Sequence, residues 1–307
     1  MTISTTTTSP PSVTTRLFGT VGALRAWAVA SLVVNMVIIV TGAVVRLTSS
    51  GLGCPTWPQC SDTSYVPRAE LGVHGVIEFT NRMLTFVLVA LAVGMAVSAF
   101  RVKATAAGAP MRPIRTLAIV VGLGVALQGI LGGITVLTRL NPWLVALHLL
   151  LSVAIIGLCV VMVHRTYDTA PLAVSPLVKL LVLAIVAATV LVIMLGTVVT
   201  GAGPHAGDDS TIQRNGISPE LAAHIHAWAV WLLVIITVVT LVITKSRLVA
   251  ALLAVQLLQG VIGYIQYFTG LPIVGVALHM AGVAGLAAAT VHVFWRMRDV
   301  ASPANPG

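Results

Sequence analysis

Long apolar runs alternate with short polar breaks along this chain. Runs of about 20 apolar residues, enough for an α-helix to cross roughly 30 Å of hydrocarbon, fit eight times, at 24–46, 73–99, 114–136, 143–164, 176–199, 221–243, 247–268 and 273–295. The first run is too long for a signal-peptide core and has no small-residue cleavage site after it, so it is expected to remain as a helix. Ahead of it, "MTISTTTTSPPSVTT" has nothing apolar to offset the entropy of ordering. Residues 1–23 are therefore expected to be a disordered cytoplasmic tail, and 296–307 a second tail.

Composition supports the membrane reading. Hydrophobic residues make up 58% of the 307 and charged residues 8%, with a mean hydropathy of +1.03, more apolar surface than a soluble domain of this length can hide. The expected class is an all-α polytopic membrane protein. A net charge of +9 would suit a nucleic-acid partner, but the basic residues are scattered between apolar runs and form no basic domain. Topology accounts for them better. With the N-terminus cytoplasmic, twelve of the 17 Lys and Arg fall inside, leaving Arg46, Arg68, Arg82, Arg139 and Arg214 outside. Both termini are thus expected in the cytoplasm, with no nucleic acid as partner.

The two halves of the chain repeat. "LQGILGGITVLTRLNPWLVALH", ending at His148, aligns without gaps to "LQGVIGYIQYFTGLPIVGVALH", ending at His279, with eleven of 22 positions identical. Earlier in each half, "TNRMLTF" faces "HIHAWAVW", setting Asn81 opposite His226. Four spans per half is an even number, so both halves enter from the same side. The prediction is two parallel-repeat four-helix bundles, 24–164 and 176–295.

On this layout Glu78 and Asn81 lie in the second span, His148 in the fourth, His226 in the sixth and His279 in the eighth, all near the extracytoplasmic end. Two imidazoles at similar depth on different helices of a bundle can grip an iron from opposite faces of a flat macrocycle. A lone histidine at a helix end is more often an interfacial or hydrogen-bonded residue, but the repeated Val-Ala-Leu-His lifts His148 and His279 above that. His226 follows as the partner of His279, and His224, two residues away, must face elsewhere. Zinc fits poorly: the three cysteines include no Cys-x-x-Cys pair, and no His-Glu-x-x-His occurs. Gly129, Gly132, Gly260 and Gly263 sit in apolar runs, where small residues let helices or a ligand approach.

His74, Glu78 and Arg82 share one helical stripe, with Asn81 beside it. Either Glu78 pairs with Arg82 at the membrane surface, or it faces a site in the N-terminal bundle, as an intramembrane carboxylate often does. In "SSGLGCPTWPQCSD", Cys54 and Cys60 face an oxidising compartment and are either a short-loop disulfide or two free thiols. Cys159, inside the fourth span, reads as packing. His205 in "TGAGPHAGDDS" suits a turn-stabilising or site-covering role, and with Asp208 and Asp209 it could bind a cation.

Taken together, "GVIEFTNRMLTF", "GLGCPTWPQC", "TGAGPHAGD", "HIHAW" and the paired "VALH" endings resemble the haem A synthase family over residues 24–295. The resemblance implies a bacterial plasma-membrane enzyme that oxidises a methyl group of haem O to a formyl group, assisted by haem b. It implies His226 and His279 as axial ligands of that haem b, and His148 with the Glu78 region as the site of substrate haem; the cost of a carboxylate at that depth makes Glu78 the catalytic candidate. It also implies haem O as substrate, membrane lipid around the chain, and a haem O synthase, an electron acceptor and a second copy of the chain as candidate partners. Many members have histidine where this chain has Asn81, and an amide is a poor iron ligand. The substrate haem then rests on His148, with a weak or vacant opposite face unless His74 moves in. A b-type cytochrome electron carrier and a transporter with the same two-bundle repeat are the rival readings.

Overall fold

The computed structural model describes residues 12–208 and 213–300. In chain order, α1 (Val13–Phe18) is a short helix and α2 (Val21–Leu47) the first long one. Then follow α3 (Gly72–Arg101), α4 (Arg112–Leu137), α5 (Pro142–Thr166), α6 (Pro176–Ala202), α7 (Pro219–Thr244), α8 (Arg247–Phe268) and α9 (Ile273–Arg296). Helices α2–α9 are the eight predicted spans, each unbroken, and none of their ends departs from the expected one by more than three residues. All eight are long and apolar enough to cross a membrane.

Local chemistry sets where these helices begin. Ser175 and Ser218 cap the amides of Val178 and Leu221, and each precedes a proline at the first helical position, where a missing N–H costs nothing. Thr20, Asn141 and Ser246 cap α2, α5 and α8 in the same way. The turns ahead of α5 and α9 are one design used twice. Arg139 and Leu140 (φ 51° and 58°) match Gly270 and Leu271 (φ 76° and 60°), and Leu140 N donates to Thr135 O as Leu271 N does to Gln266 O, at 2.8 and 2.9 Å. A leucine in the left-handed region is uncommon and costs on the order of 1–2 kcal/mol. Both copies accept that cost, and both lead into the helix that carries the Val-Ala-Leu-His histidine.

Within each half the four long helices pack as a closed ring: α2 on α3, α3 on α4, α4 on α5 and α5 on α2, and likewise α6, α7, α8 and α9. The diagonal pairs, α3 with α5 and α7 with α9, are not packed neighbours and face each other across a bundle axis. The halves meet through α5 on α9, flanked by α2 on α9 and α5 on α6, the pattern that a two-fold relation between the repeats requires. Each bundle is packed solid toward the end that holds the α3–α4 and α5–α6 connections. Leu24, Met95, Ile114 and Met162 fill the first bundle there, and Val182, Leu233, Leu252 and Val293 the second. Cys159 is fully buried in the first core, as expected of a packing residue. The room for a ligand is at the opposite, disulfide-bearing end.

The expected tails differ from the structure in two places. Residues 12–23 form α1 and the start of α2, because Phe18 stacks on Trp27 at 5.5 Å and Trp27 Nε1 donates to Leu17 O at 2.8 Å, anchoring a stretch that looks polar in sequence. At the other end β2 (Asp299–Val300) pairs in parallel with β1 (Ala173–Val174), and Leu172 N donates to Arg296 O. Residues 1–11 and 301–307, and Asp209 of the suggested cation site, lie outside the described residues.

Candidate functional site

At the disulfide end of the first bundle a cavity of about 690 Å³ opens between α2, α3, α4 and α5 and reaches the seam with the second half. Sites for cofactors commonly span about 300–1,000 Å³. Glu78 and Asn81 of α3 border it on one side and His148 of α5 on the other, the diagonal pair of helices. Four residues that the sequence reading gave no site role also line it: Arg46, Trp57, Gln128 and Thr200.

His148 is held in place through its backbone, since its carbonyl accepts from Gln128 Nε2 at 2.9 Å and from Ser152 Oγ at 3.1 Å. Its ring lies over Gly132 of α4, where a methyl group would stand 3.4 Å from Cε1. The same relation recurs in the second half. His279 lies over Gly263, with 3.7 Å between a built methyl and Cε1, and His226 over Gly196 at 3.3 Å. His148 and His279 each bury an Nδ1 that has no hydrogen-bond partner, at equivalent places in the repeat, and the His226 ring lies against the Val192 backbone of α6. A buried polar nitrogen normally has a partner, so the matched pair sets these two positions apart. His226 and His279 come from the diagonal pair α7 and α9 and stand close enough for charge on one ring to act on the other.

Asn81 does not repeat His226. Its Oδ1 accepts from Thr41 Oγ1 at 2.7 Å, and beside Thr41 the surface of Gly42 meets nothing within 4 Å. His74 is turned away from the cavity, with Nδ1 3.0 Å from Ser50 Oγ, and does not line it.

Glu78 meets both alternatives drawn from the sequence. It is 5% exposed, pairs with Arg82 and borders the cavity. Oε1 takes Arg82 Nε and Nη2 at 3.1 and 2.5 Å, and Oε2 accepts from Cys54 N at 2.6 Å. Arg82 also donates to the carbonyls of Cys54, Thr56 and Gln59 at 2.9, 3.1 and 3.2 Å, so five contacts match its five N–H groups. The pair therefore clamps the loop onto α3. Cys54 and Cys60 are joined as a disulfide across the same loop. From there the Trp57 ring presses on Gly133 of α4, where any side chain would collide with it. Trp57 and Pro58 thus form a cover over one side of the cavity.

The second loop ties the halves together. Gly51 N donates to Gly207 O at 2.7 Å, Arg46 Nη2 donates to Thr200 O, and His205 Nε2 lies 3.0 Å from Leu271 O. His205 thus braces the strained turn before α9, in line with the expected turn role. Among the described residues no three His, Cys, Asp or Glu side chains cluster to hold a metal ion. His224 is exposed and its ring lies 6.3 Å from that of Tyr267, on a different face of α7 from His226.

Eight spans and half-buried histidines at matching places in two repeated bundles define a polytopic membrane protein of two related four-helix units. A family profile narrows this further: the chain belongs to the COX15-CtaA family of cytochrome oxidase assembly proteins, whose profile matches residues 25–291. It is similar to the "Heme A synthase" of Listeria welshimeri, at 26% identity over 57% of this chain and 58% of that one. Those of Bacillus pumilus (30%, half of each chain) and Lysinibacillus sphaericus (29%, 47% of each) are also similar. The aligned region spans 58% or less of the length of these curated relatives. With eight spans and bacterial relatives, the chain is a multi-pass plasma-membrane protein.

Proposed function

We propose that this protein is a haem A synthase, oxidising a methyl substituent of haem O to a formyl group through a hydroxylated intermediate, with water supplying the oxygen and four protons and four electrons released, the electrons to an acceptor. Haem O occupies the N-terminal cavity and haem b sits between His226 and His279, with both termini in the cytoplasm. The observation that carries the reading is the 690 Å³ cavity bounded by His148 on one diagonal helix and by Glu78 and Asn81 on the other, in a chain of this family. The unpartnered imidazole nitrogens and the glycine surfaces beneath the rings fit such a group. Haem b, held by His226 and His279, would supply one-electron redox chemistry.

The chain's own residues do the rest. His148 takes the iron of the substrate on one face. Asn81, committed to Thr41 and without a basic nitrogen, leaves the opposite face weakly held, which suits a substrate that must depart as product. Glu78, at the cavity wall, accepts a proton from the reacting carbon or stabilises positive charge developing there. The clamped loop, with Trp57 as cover, closes one side of that position. A haem O synthase that supplies the substrate, an electron acceptor and a second copy of the chain are the partners this reading implies.

Chromatography of haems extracted from an oxidase-bearing strain with and without the gene tests the reading. Haem A is expected to vanish and haem O to accumulate on deletion. Purified protein carrying haem b alone, in a strain whose haem A is unchanged by deletion, would instead favour the electron carrier.

A further inference from the structure

The ends of α5 and α9, on the membrane face opposite the disulfide, hold a cluster that the proposed reaction does not use. The repeat that aligns His148 with His279 also aligns Arg165 with Arg296 and His164 with Trp295. Because α5 packs on α9 at the seam between halves, these equivalent residues converge there. His164 stacks on Trp295 with ring centroids 5.7 Å apart, and His292 Nδ1 lies 3.0 Å from His164 Nε2. The Arg165 and Arg298 guanidiniums lie 5.1 and 3.8 Å from the Trp295 ring centre, and Arg296 and Arg298 are near enough to act on His164. His164 and Trp295 are 6% and 8% exposed.

Three N–H donors in this cluster, Arg165 Nε, Trp295 Nε1 and Arg296 Nε, are buried and have no acceptor among the described residues. Nearby carboxylates do not serve them: Asp299 Oδ1 is 3.8 Å from Arg298 Nε on a largely exposed side chain, and Asp168 is bonded to Thr105 and Ala107. Buried donors normally find partners, and three arginines around unanswered donors form a site for an oxyanion rather than for a metal. The helix ends lie at the level where phospholipid phosphates lie, and basic pockets between membrane helices hold such headgroups.

We propose that the seam between the two bundles binds a phosphate group through Arg165, Arg296 and Trp295 Nε1, supplied by an anionic phospholipid headgroup or by free phosphate. The site joins the last turns of α5 and α9 and stands apart from the haem chemistry. The test uses delipidated full-length protein in detergent, titrated with phosphatidylglycerol, phosphatidylcholine or inorganic phosphate, with retained lipid phosphorus and the unfolding midpoint as readouts. Phosphatidylglycerol is expected to be retained stoichiometrically and to raise the midpoint. Phosphatidylcholine, whose choline cation would meet three arginines, is expected to be held more weakly. Loss of charge-assisted bonds should weaken phosphatidylglycerol binding about ten-fold in the Arg165→Gln/Arg296→Gln double variant. Trp295→Phe, which keeps the ring packing but removes the donor, should weaken it as well, whereas Arg112→Gln on the exposed start of α4 should not. If millimolar phosphate displaces the lipid and reproduces the midpoint shift, free phosphate is the ligand; if the lipid resists displacement, the headgroup is. Equal phosphatidylglycerol retention by wild type and Trp295→Phe, or an equal loss in Arg112→Gln, would overturn the site.

Discussion

The two bundles share a scaffold and differ in what they place on it. In the C-terminal half, imidazoles from α7 and α9 each lie over a glycine of a neighbouring helix. In the N-terminal half only α5 keeps its imidazole; α3 carries Asn81 where α7 has His226, and Glu78 and Arg82 where α7 has Ala223 and Ala227. Gly42, the glycine on α2 that corresponds to Gly196, has open space above it. A cavity and a clamped, disulfide-closed loop occupy the half that carries Asn81 at this position. The difference teaches that one packing solution can serve two purposes. On the proposed reading, two imidazoles would make a permanent holder, and one imidazole beside a carboxylate and a cover would make a site that can release what it binds.

The largest effect that would break this comparison is on the C-terminal pair. Replacing His226 or His279 with Ala is expected to abolish the low-spin haem b absorbance of the purified protein, since an iron cannot stay six-coordinate without both rings. Survival of that band in both variants would mean that the holder is elsewhere. Next comes the carboxylate. Glu78→Gln is expected to lower haem A formation about 100-fold, the lower end for a lost proton-transfer group. Arg82→Gln separates chemistry from clamping: it strands a buried carboxylate, at a cost of about 3–5 kcal/mol of stability, but leaves the proton acceptor in place. Equal losses of haem A with equal losses of stability in the two variants would reduce Glu78 to a clamp.

A gentler change makes the halves alike. Asn81→His puts an imidazole opposite His148 beside the free surface of Gly42, so purified protein is expected to retain about twice the low-spin haem and to turn over more slowly. Unchanged haem content would show that residue 81 does not face the iron. The smallest effect is on the loop. Cys54→Ser/Cys60→Ser opens a closure of six residues and is expected to lower stability by about 2 kcal/mol, read as a few degrees in the unfolding midpoint, with the haem b band intact.

Helix number and helix ends were legible because membrane-spanning runs obey a length rule that needs no partner. The repeat located His148, His226 and His279, since an internal alignment compares the chain with itself. Other features were not legible. Arg46 counted only as a topological charge, and nothing local to it predicts that its guanidinium reaches Thr200 of the other half. Glu78 read as either an ion pair or a site residue, and the fold made it both, because the Cys54–Cys60 loop returns over α3 and places Cys54 N against Oε2. Residues 12–18 looked like tail because their anchor, Trp27, lies nearly two turns inside the next helix.

Sequence by itself determined eight spans, their two-fold repetition and the identity of the side chains at corresponding positions, all of which depend on transfer from water and on short-range backbone rules. Only the tertiary structure decided which helices are diagonal, that the imidazoles lie over Gly132, Gly196 and Gly263, that a cavity opens beside His148 and Glu78, and that Arg165 reaches the Trp295 ring across the seam. Those properties depend on how rigid helices fill volume against one another, a many-body constraint that no stretch of the chain carries alone.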